Sequence, residues 1–263
     1  MCLTHERSTS GSPGHGGTIT AAVRALIPSH PACAEALALA KSALPASILY
    51  HSLRVFLYAQ AFLAIFHDAD SVTVVPASTA DTANDGAPNA TAGAAGGSGL
   101  TTTRSASVVL FVACILHDVS TAADYDAVPE RFEVVAADVA VRVLLAHGFP
   151  EATARDAWLA MALHTSPGIA ERLGGIVRAV RLAVRADFGS HPPPATKMMP
   201  GGADTMDVIR WKLPRLEIEK DLGDAVVRQA LVDAQKAPKS SWPGDLMRAK
   251  KENPDWEGVN KGF

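Results

Sequence analysis

The chain has 263 residues and a mass of 27.5 kDa, enough to bury a sizeable core as one large domain. Hydrophobic residues make up 48% and charged residues 19%, and the net charge of −3 gives no basic field for nucleic acid or an anionic membrane. No run of 18 apolar residues and no secretory signal is present, and the three cysteines form no CxxC pair. We therefore expect a cytoplasmic protein with a small-molecule substrate and without nucleic-acid or membrane partners; a homo-oligomer stays possible.

The N-terminal third of the chain alternates between low-complexity and helical segments. Residues 1–17 are rich in Gly, Ser, Thr and His and predict a disordered lead-in. From residue 18 apolar residues recur at helical spacing, and Pro45 stands where the first turn of a long helix tolerates proline. Residues 69–104 consist mainly of Ala, Thr, Gly, Ser and Asp, and they predict a disordered insertion between two core helices.

Helical patterns dominate the remainder of the chain. They cover residues 106–118, 132–146, 151–164, 170–187 and 214–236. No strand-type alternation of any length accompanies them, and a short helix with an extended tail ends the chain. The sequence therefore predicts an all-α fold.

One apolar segment ends on two groups that are costly to bury. Residues 107–116 are almost wholly apolar, and His117 and Asp118 follow directly. A buried carboxylate without a partner costs several kcal/mol, so we expect it to be neutralised, paired or metal-bound. Imidazole and carboxylate donors together suit zinc, iron, manganese or cobalt better than calcium. A second pair, His67-Asp68, borders the insertion without an apolar wall behind it, and we assign it to chance.

Further ligands would have to come from other helices. His51 lies on a core-facing stripe of a long apolar helix, and Asp187 ends an amphipathic run. Taken singly, His51 has the features of a hydrogen-bonded core histidine and Asp187 those of a surface carboxylate at a helix end. Their combination with His117 and Asp118, one or two residues per helix, favours a metal site.

The order of these four residues resembles the H…HD…D pattern of the HD-domain metal-dependent hydrolases. The segments YHSLRVFLYAQA, FVACILHDVS, RFEVVAADVAVRVLLAHG, ALHTSPGIAER and VRADFGS are similar to fungal proteins of the cyanamide hydratase type. The resemblance implies an HD-domain helical bundle over residues 18–190. It also implies a helical extension over 191–263 that packs on this domain.

The resemblance implies a metal-dependent hydratase. One divalent metal, zinc with Fe²⁺ or Mn²⁺ as alternatives, would be held by His51, His117, Asp118 and Asp187. Metal-bound hydroxide would add to the carbon of a small nitrile, with cyanamide as substrate and urea as product. One of the two histidines that bind a second metal in binuclear relatives has no counterpart here, which favours a mononuclear site.

Catalysis would also need a group that moves protons. Glu133 and His164 are the candidates beside Asp118, although Glu133 also suits a helix N-terminus and His164 a helix C-terminus. The alternative function is an HD-type phosphohydrolase acting on a nucleotide or another phosphomonoester. A third possibility is a non-catalytic helical protein that binds a partner and is stabilised by metal.

Three further positions carry weaker expectations. Arg54 is expected to pair with an internal carboxylate such as Asp138, or to orient a substrate anion. Thr165 and its neighbour Ser166 either donate into the pocket or cap the next helix. The tryptophans Trp242 and Trp256 are expected to fasten the C-terminal tail to the core.

Overall fold

The computed structural model describes residues 19–71, 98–189 and 202–255. These residues form ten α-helices and no strand, which confirms the predicted all-α fold. In chain order the helices are α1 (Ala21–Ala25), α2 (Pro31–Ala43), α3 (Ala46–Ser71), α4 (Ser98–Leu116), α5 (Phe132–Ala146), α6 (Glu151–Ala162), α7 (Gly175–Asp187), α8 (Gly202–Lys212), α9 (Ile218–Val232) and α10 (Trp242–Glu252).

The insertion predicted between two core helices lies between α3 and α4. Helix α3 continues to Ser71 and α4 begins at Ser98, so both helices enter the range 69–104. Residues 72–97 lie outside the described residues, as does the predicted lead-in.

Helix α4 occupies the centre of the core. Its residues 108–116 are all at most 3% exposed, and α2, α3, α5, α6 and α7 pack around it. A helix that is apolar on every side is stable in water only when its neighbours cover every side. Because α4 is central, the chain is still inside the protein where His117 and Asp118 follow the helix.

Helix α3 is the second long apolar element. Its segment Ala46–Phe66 is long and apolar enough to cross a membrane by length and composition. In this structure 67% of that apolar window is buried. Such burial is typical of a core helix, and α3 packs mainly against α7 and α4.

The segment predicted as one helix over 170–187 is divided. Ala170–Arg172 forms a short 3₁₀ turn, and α7 begins only at Gly175. The reason is local, because Gly174 and Gly175 have φ angles of 72° and 48°, which glycine adopts without strain. Helix α7 then runs to Asp187 and packs against α3.

The C-terminal helices pack on the turns that follow α4. The side-chain amide of Gln229 in α9 donates to the carbonyl of Ser120 at 2.6 Å. The buried Trp242 at the start of α10 packs edge-on against Phe132, with ring centroids 6.0 Å apart. This contact is the fastening expected of Trp242, whereas Trp256 lies outside the described residues. The helix predicted over 214–236 is shorter, because α9 begins only at Ile218 and ends at Val232.

Candidate metal centre

The pair His117-Asp118 lies in the turn directly after α4. Helix α4 ends at Leu116, and a 3₁₀ turn over Val119–Thr121 follows the pair. The Thr121 hydroxyl donates to the Asp118 carbonyl at 2.7 Å and fixes this turn. The side chains of His117 and Asp118 are each about 1% exposed, so the apolar helix does deliver both groups into the interior.

His51 meets this pair from the second turn of α3. Its Nε2 lies 3.2 Å from Nε2 of His117 and 3.7 Å from Oδ2 of Asp118. Nε2 of His117 lies 3.2 Å from the same carboxylate oxygen. The three ligand atoms are within 4.8 Å of one another, so these residues form a buried His-His-Asp cluster that could hold a metal ion.

The opposite ring nitrogens are tied to oxygen acceptors. Nδ1 of His117 lies 2.7 Å from the Cys114 carbonyl, and Nδ1 of His51 lies 2.6 Å from Oδ2 of Asp187. A carbonyl or an ionised carboxylate only accepts hydrogen bonds, so each Nδ1 carries the proton and each Nε2 presents its lone pair. Metal-binding histidines are held in this way, with an oxygen acceptor behind the ring.

The buried carboxylate of Asp118 lacks hydrogen-bond donors among the described residues. This holds for both of its oxygens, and Nε2 of His117 lies 3.2 Å from Oδ2 as an ion-pair contact. A positive charge between the two Nε2 atoms and this carboxylate would offset the free-energy cost of burying the ionised Asp118. A proton on His117 would serve only one of these contacts, whereas a metal ion would satisfy all three donor atoms.

The pKa values in the cluster reflect this charge distribution. Burial acts against ionisation of Asp118, but the neighbouring imidazoles, His117 first, hold the pKa of its carboxyl well below the usual range. Burial favours the neutral form of His117, yet Asp118 outweighs it and raises the pKa of His117. For His51 burial prevails, and its pKa is lowered in spite of Asp187.

Asp187 lies on the Nδ1 side of the His51 ring and is not a member of the His51-His117-Asp118 cluster. Its carboxylate accepts from Nδ1 of His51 and, through both oxygens, from the guanidinium of Arg54 at 2.6 and 2.8 Å. Burial opposes its charge, but Arg54 and His51 keep the pKa of Asp187 far below the usual range. Its assignment as fourth metal ligand stays a prediction.

Arg54 pairs with an internal carboxylate as expected, but that carboxylate is Asp187 and not Asp138. Asp138 instead accepts a hydrogen bond from the indole of Trp158 at 2.8 Å. Two helices contribute the actual pair, because the packing of α3 against α7 brings Arg54 to Asp187. Sequence patterns cannot separate these two carboxylates, since both stand on helices of mixed polarity.

His164 stands beside the cluster. Helix α6 ends at Ala162, so His164 lies in the following turn, and its Nδ1 is 2.6 Å from the Met161 carbonyl. Its Nε2 lies 3.7 Å from Oδ1 of Asp118. Burial, and then the charge of His117, lower the pKa of His164 to about 3. The ring is therefore neutral at neutral pH, and its role in proton transfer stays a prediction.

Glu133 belongs to a network of its own. Its fully buried carboxylate accepts from Arg131 at 2.5 and 3.2 Å and from the Thr165 hydroxyl at 2.7 Å. Thr165 thus donates to Glu133, a contact that the sequence interpretation missed because it expected a pocket or a cap. The catalytic assignment of Glu133 stays a prediction. The side chains of the other pair, His67-Asp68, lie outside the described ones.

The chain matches no protein-family model and no curated protein sequence. The likeness to HD-domain hydrolases therefore rests on the order of His51, His117, Asp118 and Asp187 and on the quoted segments.

Proposed function

We propose that this protein is an HD-domain metalloenzyme that hydrates a small nitrile, with cyanamide as the substrate and urea as the product. The proposed metal is one divalent ion, zinc before Fe²⁺ or Mn²⁺, held by His51, His117 and Asp118. Asp187, the fourth ligand predicted from the sequence, is bonded to His51 and Arg54 and is not included in this proposal. The observation that carries the proposal is the Asp118 carboxylate, buried without a hydrogen bond beside two imidazole Nε2 atoms. Two nitrogens and an oxygen leave room for substrate in a tetrahedral site.

When bound, such a metal acts as a Lewis acid and lowers the pKa of a water molecule to about 7. The protein groups would orient this water and move its protons. The hydration adds the water oxygen to the nitrile carbon, and both water protons end on nitrogen, so cyanamide and water give urea without a leaving group. A site for this reaction needs one proton acceptor that later acts as donor.

His164 fits that role better than Glu133. The Met161 carbonyl holds its Nδ1 proton, which leaves Nε2 directed toward Asp118 as an acceptor. Glu133 is already bonded to Arg131 and Thr165, so it would act only through Thr165, the neighbour of His164. We therefore assign proton transfer to His164 and a supporting role to Glu133.

The charges around the cluster favour a hydratase over a phosphohydrolase. A phosphate substrate would need cationic side chains free to bind its oxygens. Arg54 donates to Asp187 and to two carbonyls, and Arg131 is paired with Glu133. Arg181 is likewise engaged with Glu171 and the His164 carbonyl, and Arg215 with Glu219 and Asp187. These arginines are thus already paired within the protein, whereas a neutral nitrile needs none of them.

The test is the formation of urea from cyanamide by the purified protein loaded with Zn²⁺. We expect turnover in the wild type and loss of both metal and turnover in His117→Ala. The matched control is His67→Ala, which alters the other His-Asp pair and should change neither. Phosphate release from a nucleotide panel without urea formation would instead support the phosphohydrolase.

A further inference from the structure

The guanidinium of Arg54 faces two parts of the protein at once. Its Nε and Nη2 donate to the two carboxylate oxygens of Asp187, and its Nη1 donates to the carbonyls of Leu213 and Pro214, both at 3.1 Å. The side chain is 2% exposed. A planar group with donors on several edges can hold a carboxylate through two parallel hydrogen bonds and a second partner on another edge, a geometry that the single ammonium group of a lysine does not offer.

On the first side lies the candidate metal centre. The Asp187 carboxylate that Arg54 holds also accepts from Nδ1 of His51 at 2.6 Å. The orientation of the His51 ring therefore depends on this carboxylate, and that of the carboxylate depends on Arg54. Groups that orient a metal-binding histidine in this way typically change metal affinity by about 10- to 100-fold when they are removed.

On the second side lies the connection between α8 and α9, residues 213–217. Its Leu216 has a φ of 50°, a left-handed conformation that is costly for a residue with a branched side chain. Such a conformation persists only where surrounding contacts fix it. Here Arg54 supplies two of these contacts, and Arg215 donates to the backbone carbonyl of Asp187.

We propose that Arg54 is a positioning residue that makes metal binding and the docking of residues 213–217 mutually dependent. This inference rests on the proposed metal centre and adds a residue and a coupled segment to it. A metal on Nε2 of His51 would favour the ring position that Asp187 and Arg54 define. The same Arg54 position holds the two carbonyls, so linkage requires that docking of the segment strengthens metal binding by an equal factor.

The first experiment measures Zn²⁺ affinity by chelator competition in Arg54→Lys and Arg54→Gln. We expect both variants to bind Zn²⁺ about 10- to 100-fold more weakly than the wild type. The matched control is Lys236→Gln, because Lys236 is also a buried cation that donates to two carbonyls, those of Tyr125 and Asp126. It should lose thermal stability while keeping the Zn²⁺ affinity of the wild type.

The second experiment measures limited proteolysis in the wild type and in Arg54→Gln. Trypsin can cut after Lys212, directly before residues 213–217, and after Arg215 within them, and mass spectrometry identifies each cut. In the wild-type chain, saturating Zn²⁺ should slow both cuts about tenfold, while in Arg54→Gln it should have little effect on them.

The outcomes separate the inference from the function on which it rests. Failure of the wild type to bind Zn²⁺ would overturn the proposed metal centre and this coupling together. Binding in the wild type with unchanged affinity in both Arg54 variants would overturn the coupling alone. So would a rate of cutting at Lys212 and Arg215 that does not respond to Zn²⁺.

Discussion

Two buried carboxylates near the end of α4 have opposite surroundings. Glu133 accepts three hydrogen bonds, two from Arg131 and one from Thr165. Asp118 is equally buried, yet neither of its oxygens accepts a hydrogen bond from any of the described residues. The charge of Glu133 is thus compensated by donors within the protein. The charge of Asp118 faces imidazole nitrogens, whose lone pairs can bind a cation together with the carboxylate.

The contrast separates a structural ion pair from a candidate ligand. Burial alone does not distinguish the two, since a paired buried carboxylate and a ligand carboxylate are equally hidden from water. What differs is whether the protein itself supplies the donors. Substitutions at each carboxylate test that difference.

The largest expected effect is on metal affinity. Asp118→Asn should weaken Zn²⁺ binding by more than about 100-fold, because it removes the anionic ligand while keeping its shape. Glu133→Gln should bind Zn²⁺ as the wild type does. Chelator competition on both purified variants measures this. Equal losses in both variants would contradict the distinction between the two carboxylates.

The second-largest expected effect is a loss of thermal stability when the metal is removed. At a free Zn²⁺ concentration 100 times the dissociation constant, binding stabilises the fold by about 2.7 kcal/mol. In a chain of this size that corresponds to about 5–10 °C in Tm, which calorimetry with and without chelator measures. The shift should be retained in Glu133→Gln and absent in Asp118→Asn. A wild type whose Tm ignores both zinc and chelator would argue against the site.

The completeness of the Glu133 network can be tested through Thr165. Thr165→Val keeps the side-chain shape but removes the hydroxyl that donates to Glu133 at 2.7 Å. Loss of a hydrogen bond to a buried charged group should cost about 1.5–3 kcal/mol in the free energy of unfolding, measured by urea denaturation. Zn²⁺ affinity should stay unchanged. A large loss of affinity would mean that this network supports the metal centre directly.

The smallest expected effect is a pH dependence of metal affinity. Asp118 raises the pKa of His117 above its ordinary 6.5, so below that raised value a proton occupies Nε2 and must leave before metal binds. Affinity should therefore be full above the raised pKa and fall as pH decreases through it, by about tenfold per pH unit for one displaced proton. Glu133→Gln should show the same profile between pH 5.5 and 8.

His51 should not contribute to the loss of Zn²⁺ affinity as the pH decreases between 8 and 5.5. Its lowered pKa keeps the ring neutral where His117 becomes protonated. A slope of about two protons per metal near pH 6.5 would show that both histidines titrate together and would contradict this assignment.

The sequence predicts much of the fold because the relevant signals are local. Apolar spacing and the absence of alternation give the all-α class, and the apolar run before His117-Asp118 places that pair inside. Where helices begin was harder, because it depends on φ angles at Gly174, Gly175 and Leu216. Helix α8, which follows a proline-rich segment and has little amphipathic pattern, was not predicted.

Long-range partners were the least predictable part of the site. Arg54 and Asp187 lie 133 residues apart, and only the packing of α3 on α7 decides that they pair. The sequence likewise gives no sign that Glu133 would be bonded to Thr165. Residue type and spacing can thus name the members of a buried polar cluster, while their partners follow from tertiary packing.

The central place of α4 has a consequence for changes in chain length. Each residue of an α-helix turns the chain by about 100° and advances it by about 1.5 Å. Because residues 108–116 are locked among five other helices, one residue inserted or deleted there would either rotate a new set of side chains into the core or swing His117 away from His51. Length variation upstream of this stretch leaves that angular phase untouched. Among related sequences, insertions and deletions should therefore be absent between position 108 and Asp118, whatever happens before them.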